Sequence, residues 1–422
     1  MKLSLLFEAS SANDPDPEAE RRVFSEALDQ AELADTLGFH TLWAVEHHFL
    51  EQYAHSSAPE VFLAAASQRT KKMRLGHGIM HLVPKINHPF RAAERIATLD
   101  HLSGGRVDFG SGEGSSLAEL GGFGIDIETK RAAWEESLQV AIEAMTQTPF
   151  PGIDGEFVSA PARNVVPKPY QRPHPPLWMA ASNHPKLRDV ARRGMGALGF
   201  LFVDMGVAKE WVEDYYRTFE EEAIPIGLAA NPNVVLNTPM ACAPTRALAQ
   251  ERFGEANDFF NYGARHYYQN GQHFPGKTNI LEEFNAARPA EQPELQGGPI
   301  GTPEDVLEVL MAYAEAGVDQ ILMMNPAGYQ AKHEDTMESL ELLGKHVIPE
   351  LEKHHQAGEE KRAKFKAEIS QKAMDRKGHV EPRKAPEGYF FGVVKTGMSE
   401  GMDELYAAAT GEGTETRPSD VK

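Results

Sequence analysis

The chain of 422 residues contains a single cysteine, Cys242. That excludes an intrachain disulfide framework and a cysteine-based zinc site, and it fits a reducing compartment. Long apolar runs are also missing. No stretch approaches the roughly 18 apolar residues of a membrane span, and the apolar run in the N-terminal MKLSLLFEAS is too short for a signal peptide. A soluble, cytoplasmic protein is expected. Positive charge is scarce as well: 42 Lys and Arg stand against 62 Asp and Glu, for a net charge of −20. Such a surface is solvated and acidic, which argues against nucleic acid and anionic membrane as partners.

What is present is a rhythm. Short apolar runs alternate with longer helical patterns: Leu3–Phe7, Thr41–Val45, MRLGHGIM, RVDFG, PLWMAA, GALGFLF, NVVLNTPMA and DQILMM read as strands, each followed by a helix. Repeated βα units of this length imply a parallel sheet buried on both faces. Eight of them predict a closed α/β barrel, the (β/α)8 or TIM fold, over residues 1–354. Two insertions break the rhythm. Residues 149–175 are rich in proline and predict an ordered excursion. Residues 268–298 are polar and rich in Pro, Gly and Asn, and a long loop of that kind in a compact domain predicts a lid. Residues 355–422 change composition and form a helical and irregular C-terminal extension, read as a dimer arm.

Three clusters carry chemistry. The second strand, TLWAV, runs into Glu46-His47-His48. In an α/β barrel the C-terminal strand ends line the mouth where catalysis occurs, and imidazole moves protons near neutral pH. A hydrogen-bonded strand end or one face of a metal site reads the same way. His77, His81 and His88 are possible further ligands, but strand alternation scatters them over different faces, and no HExxH pattern is present. No metal is expected. The second cluster is GGRVDFGSGEGSS, where Gly110, Gly112 and Gly114 permit close backbone approach and an anion cradle. No helix is expected directly after the third glycine. The third is WMAASNHP, where Ser182 and Asn183 precede a helix beginning near Pro185. Free amides there attract phosphate, and an ordinary helix cap reads equally well.

Together, VEHHF (45–49), LGHGI (75–79), HPFRAAERIATLDHLSGGRVDFGSGEGS (88–115), PHPPLWMAAS (173–182) and GGPIGTPEDVLEVLMAYAEAGVDQILM (297–323) resemble the bacterial luciferase-like monooxygenases, flavin-dependent (β/α)8 barrels. The resemblance covers about residues 1–352. It implies that His47 is the active-site histidine beside the flavin, supported by His48 and Glu46, and that a non-proline cis peptide at Gly78–Ile79 backs the flavin ring. It implies further that Ser111, Gly112 and Gly114 pass near the phosphate and ribityl chain. Ala181, Ser182 and Asn183 mark the phosphate contact of the fifth strand, and Arg131 reaches the same phosphate. The cofactor implied is FMN, used reduced as a co-substrate that forms a flavin hydroperoxide with dioxygen. An NAD(P)H:flavin reductase is implied as partner, a small and mostly apolar organic molecule as substrate, and a homodimer through the second and third helices as assembly. Where many members carry arginine, this chain has Glu113, which cannot donate to phosphate. A 5-deazaflavin-dependent hydride-transfer enzyme of the same fold and a non-catalytic flavin-binding protein are the alternatives.

Overall fold

The computed structural model describes residues 1–11, 17–200, 205–287, 300–324 and 331–388. Eight parallel strands form its centre: β1 Lys2–Phe7, β2 Thr41–Ala44, β3 Arg74–His77, β4 Val107–Gly112, β5 Leu177–Ala181, β6 Gly196–Gly199, β7 Val234–Pro239 and β8 Gln320–Met324. Each pairs with its sequence neighbour, and β8 pairs with β1 (Lys2 opposite Gln320, Leu6 opposite Met324), so the sheet closes. This is the expected (β/α)8 barrel. Helices α1 Pro17–Leu37, α2 Pro59–Arg69, α3 Pro89–Ser103, α4 Leu117–Gly122, α5 Lys130–Thr146, α6 His184–Arg192, α7 Met205–Glu222, α8 Arg246–Arg265, α9 Ile280–Ala287, α10 Pro303–Glu315, α11 His333–Leu342 and α12 Ile348–Lys377 follow in order.

Alternation along each strand makes two cores. Outward residues such as Leu5, Leu75 and Phe109 join the layer under the helices. Inward residues Leu6, Trp43, Trp178, Leu198, Val235 and Leu322 fill the barrel. The Trp43 and Trp178 rings meet edge to face, 5.3 Å between centroids. Buried indole N–H groups need acceptors: Trp43 donates to Gln320 Oε1 at 2.8 Å and Trp178 to Asp108 Oδ1 at 3.1 Å. Gly76 and Gly196 make room for these rings, since a Cβ would lie 2.2 Å from Trp43 and 2.3 Å from Trp178 respectively.

The described residues of both insertions pack on the barrel. In 149–175 a short antiparallel pair, Ile153–Asp154 with Ser159–Ala160, forms around Glu136, whose carboxylate accepts from the amides of Glu156, Phe157 and Val158. The region expected as a lid begins in a π-helical turn, His266–Asn270, and continues into α9. Ile280, Leu281 and Phe284 bury against Leu50 and Tyr53 of the loop after β2. Residues 288–298 of that region lie outside the described residues. The boundary expected at 354/355 falls inside α12. Along that helix Lys372 pairs with Glu220 and Arg376 donates to the carbonyl of Ala223 on the α7 side, while Lys366 donates to Asn233 just before β7. The first part of the extension is thus a strap across the N-terminal end of the barrel; residues 389–422 lie outside the described residues.

Candidate active site

The site is built where β2 and β3 end. Glu46 is buried, 5% exposed, and ties the two strands together. It accepts from the His81 amide at 3.0 Å and from Asn87 Nδ2 at 2.7 Å, and His48 Nε2 lies 3.1 Å away. Burial alone would raise its pKa, yet the His48 and Asn87 bonds and the nearby His81 hold it below the usual carboxylate range. Glu46 and His48 therefore lock to each other, and His47 is left facing the mouth.

His47 is held by carboxylates from other elements. Its Nδ1 donates to Glu119 Oε1 at 3.1 Å, and its Nε2 lies 3.9 Å from Glu8 Oε2. The Tyr268 hydroxyl lies 3.4 Å from Nδ1 and 3.5 Å from Nε2. Glu119 also accepts from the His48 amide at 2.9 Å, which fixes its position. Burial opposes charge on His47, but Glu119, Glu8 and Glu46 outweigh it, and its pKa lies above the ordinary imidazole value. Burial raises the Glu8 carboxyl. The cluster is thus suited to holding a proton on His47 near neutral pH.

A bulge in β3 shapes the floor. From Gly76 to Met80 this strand advances four residues, while β4 advances three, from Asp108 to Ser111. The extra residue lies at the cis Gly78–Ile79 peptide, where the resemblance places it. A bulge breaks side-chain alternation, with two consequences. His77 turns into the helix layer, fully buried, while His81 reaches the site, with its ring 6.3 Å from that of His47. Four residues apart, His77 and His81 would share one face of a regular strand; they lie on different faces, as expected, only because the bulge inserts one residue between them. Second, Gly110 and Gly112 serve the bulge: a Cβ on Gly110 would lie 1.9 Å from the His77 carbonyl oxygen, and one on Gly112 would lie 2.9 Å from the Ile79 side chain.

The expected phosphate residues separate into two groups. Ser111 is buried and its hydroxyl accepts from Trp134 Nε1 at 3.2 Å, so its side chain faces α5 rather than the mouth. The Ala181 side chain likewise joins the outer core. For these two only the backbone remains available. Gly114, Arg131, Ser182 and Asn183 do gather at the edge of the mouth, around Glu113. Glu113 accepts from Lys186 Nζ at 2.8 Å and sits 3.5 Å from Arg131 Nη1, and Arg131 also pairs with Asp189. Burial raises the Glu113 carboxyl, but Lys186 and Arg131 hold it below the usual range. Asn183 Oδ1 accepts from the Lys186 amide at 3.0 Å, an ordinary N-cap, while Ser182 is exposed. The donor set fits a phosphate. Arg131 and Lys186 converge on one internal carboxylate at the N-terminus of α6, and an incoming dianion would compete with Glu113 for them.

The sequence does not mark Glu8, Glu119, Lys186 or Tyr268, and His81, named there only as a possible metal ligand, is set aside on strand alternation. Glu119 lies on α4, a helix of six residues that opens three residues after Gly114, where no helix was expected. Ser116 ahead of LAEL was its only signal. Tyr268 lies in the π-helical turn that continues α8, and nothing in its neighbours marks it.

A family model for luciferase-like monooxygenases matches residues 1–320. The oxygenase component of a flavin-dependent trigonelline monooxygenase from Acinetobacter baylyi is 26% identical over 356 residues, 83% of this chain and 95% of that protein. An uncharacterized protein, y4wF, of Sinorhizobium fredii is 39% identical over 183 residues, 43% of this chain and 52% of its own length, so the match spans about half of that relative. Among solved structures, the monooxygenase RslO1 from Streptomyces bottropensis superposes with a TM-score of 0.68 at 23% identity, over 83% of this chain and all of that one. The oxygenating constituent of 3,6-diketocamphane monooxygenase from Pseudomonas putida, solved with FMN, superposes with a TM-score of 0.63 at 19% identity, over 83% and 98%. An F420-dependent secondary alcohol dehydrogenase shares the fold at 0.62 and 18%, over 83% and 99%. On the strength of the family match along three quarters of its length, the chain belongs to the luciferase-like monooxygenase family.

Proposed function

We propose that this chain is the oxygenase component of a two-component flavin monooxygenase. It receives reduced FMN from an NAD(P)H:flavin reductase and uses dioxygen to oxygenate a small, mostly apolar organic substrate. The observation that carries the reading is His47, held at the barrel mouth between the buried carboxylates of Glu119 and Glu8 and next to the Gly78–Ile79 bulge. The trigonelline relative, itself named an oxygenase component, supports the partner. No described helix is long and apolar enough to cross a membrane.

The reduced flavin, when bound, supplies the electrons that activate dioxygen, chemistry that side chains alone do not offer. The chain's own residues do the rest. Lys186, Arg131 and the α6 N-terminus hold the phosphate. Ile79 presents an apolar surface at the bulge. Glu119 fixes the Nδ1–H tautomer of His47, which leaves Nε2 to accept or deliver a proton at the reacting edge. Tyr268 and the packed segment around α9 cover His47 on the solvent side and limit water there. The exposed Val61 on α2 and Leu102 on α3 lie on the two helices expected to form a homodimer.

The test is stopped-flow mixing of the protein, loaded with photoreduced FMN, with oxygenated buffer. Wild type should reoxidise the flavin in phases slower than free FMN. His47→Ala should bind FMN with similar affinity but reoxidise it faster, with more peroxide released. Reoxidation indistinguishable from free FMN in both proteins, with hydride transfer from a reduced 5-deazaflavin instead, would replace this reading with the deazaflavin one.

A further inference from the structure

The proton-holding role explains one edge of Glu119 and leaves two buried atoms without purpose. His81 Nδ1 and Glu119 Oε2 are both buried and have no hydrogen-bond partner. His81 is 4% exposed and Glu119 1%. A buried polar atom without a partner costs about 1–3 kcal/mol. Both belong to one cluster, in which one ligand atom each of His47, His81 and Glu119 lie within 4.8 Å of one another.

The spacing is that of a coordination shell. His47 Nδ1 stands 3.1 Å from Glu119 Oε1, and His81 Nδ1 stands 4.0 Å from the same oxygen. Two ligands at about 2.0–2.1 Å in tetrahedral geometry lie about 3.3–3.4 Å apart. The His47–Glu119 pair is already near this separation, and His81 would approach the Glu119 oxygen from its present 4.0 Å as the shell closed. A metal-bound histidine usually gives its other nitrogen to a carboxylate; Glu8, whose Oε2 is buried without a hydrogen-bond partner, is the carboxylate nearest His47 Nε2, at 3.9 Å, and would have to move closer to take that role. The amide of His48 already anchors Glu119 at 2.9 Å. His47 is partly exposed at the mouth, which provides the entry path and an open fourth position.

We infer that His47, His81 and Glu119 form a binding site for one divalent transition-metal ion of the zinc class. Two imidazoles and a carboxylate suit such ions, whereas magnesium and calcium take oxygen ligands. Metal and proton compete for His47 Nδ1, so the metal-loaded chain is the inhibited form of the enzyme under the flavin reading. Binding itself does not depend on that reading, because it is measured without flavin.

The experiment is calorimetric titration of the chelator-treated full chain with ZnCl2 at pH 7.5, repeated by absorbance with CoCl2. One ion per chain with a Kd in the micromolar range or tighter is expected, with Co2+ bands of a four- or five-coordinate site. His81→Ala and Glu119→Gln should each weaken zinc at least tenfold while their urea unfolding curves stay cooperative. His273→Ala should leave binding unchanged, because His273 pairs with His266 in a separate cluster. No saturable binding, or binding that survives both His81→Ala and Glu119→Gln, would overturn the site. If His81→Ala does not fold, Glu119→Gln and the Co2+ spectrum decide between the outcomes.

Discussion

Gly110→Ala and Gly121→Ala add the same methyl group eleven residues apart and should act with opposite sign. At Gly110 the new Cβ would lie 1.9 Å from the main-chain oxygen of His77, 3.1 Å from its carbonyl carbon and 3.1 Å from Leu198 Cδ1. The first obstacle is backbone, which cannot rotate aside as a side chain does. Either β3 shifts away from β4 or the bulge unwinds. Overpacking of this kind costs about 1–3 kcal/mol, and a main-chain obstacle places it near the upper end, about 3 kcal/mol. At Gly121 a Cβ would meet nothing within 4 Å, the residue is exposed, and it lies in α4. There the exchange removes backbone freedom from the unfolded chain and should stabilise by about 0.5–1 kcal/mol. Urea unfolding followed by tryptophan fluorescence reads both, with a change in midpoint at constant slope counted as a change in stability. Because the bulge is the proposed floor under the flavin ring, Gly110→Ala should also weaken FMN binding in a fluorescence titration. A Gly110→Ala protein within 0.5 kcal/mol of wild type would refute the claim that this glycine exists to admit the bulge.

Two further predictions concern charge. His77 is fully buried, both its ring nitrogens lack partners, and burial lowers its pKa to about 4 from 6.5. The folded state therefore binds this proton less readily than the unfolded one, so its stability share is complete above pH 6.5 and is lost as pH falls towards 4. Between pH 8 and pH 5 that loss is about 2 kcal/mol; His77→Leu, which cannot titrate, should show a correspondingly shallower fall in urea midpoints, and an equal fall in both proteins would refute the assignment. Glu113→Gln removes the carboxylate that competes with phosphate for Lys186 and Arg131, which should tighten FMN about fivefold to tenfold, on the order of 1 kcal/mol. Riboflavin, which has no phosphate, should bind as before; an equal gain for both would place the phosphate elsewhere.

The barrel was legible because it rests on repetition. Eight apolar runs separated by helical patterns survive errors of a few residues at each end, and TLWAV and DQILMM became β2 and β8 despite their short length. His47 and the cis peptide were legible from motifs. Glu119 was not, because α4 is only six residues long and carries too little periodicity to announce a helix. Tyr268 was not, because a π-helical turn at the end of α8 rotates its side chain differently from the α-helical pattern. Nothing in the sequence around Lys186 marks it, and only the fold brings it to Glu113.

His81 is the most instructive residue, because the sequence contained the information in scattered form. LGHGIMH places His77 and His81 four apart, which on a regular strand puts both on one face. The partner strand reads DFGSG over the matching stretch, with glycine where any side chain would strike a displaced β3. Glycines facing one another across two strands are the signature of a bulge in one and a recess in the other. Once the extra residue is granted, His77 must go outward and His81 inward. One inserted residue therefore accounts for the recess in β4, the buried and unpartnered His77, and the meeting of His47, His81 and Glu119. The proton-holding and metal-binding chemistries argued for this cluster both depend on that displacement, so a variant that straightens β3 should lose the two together.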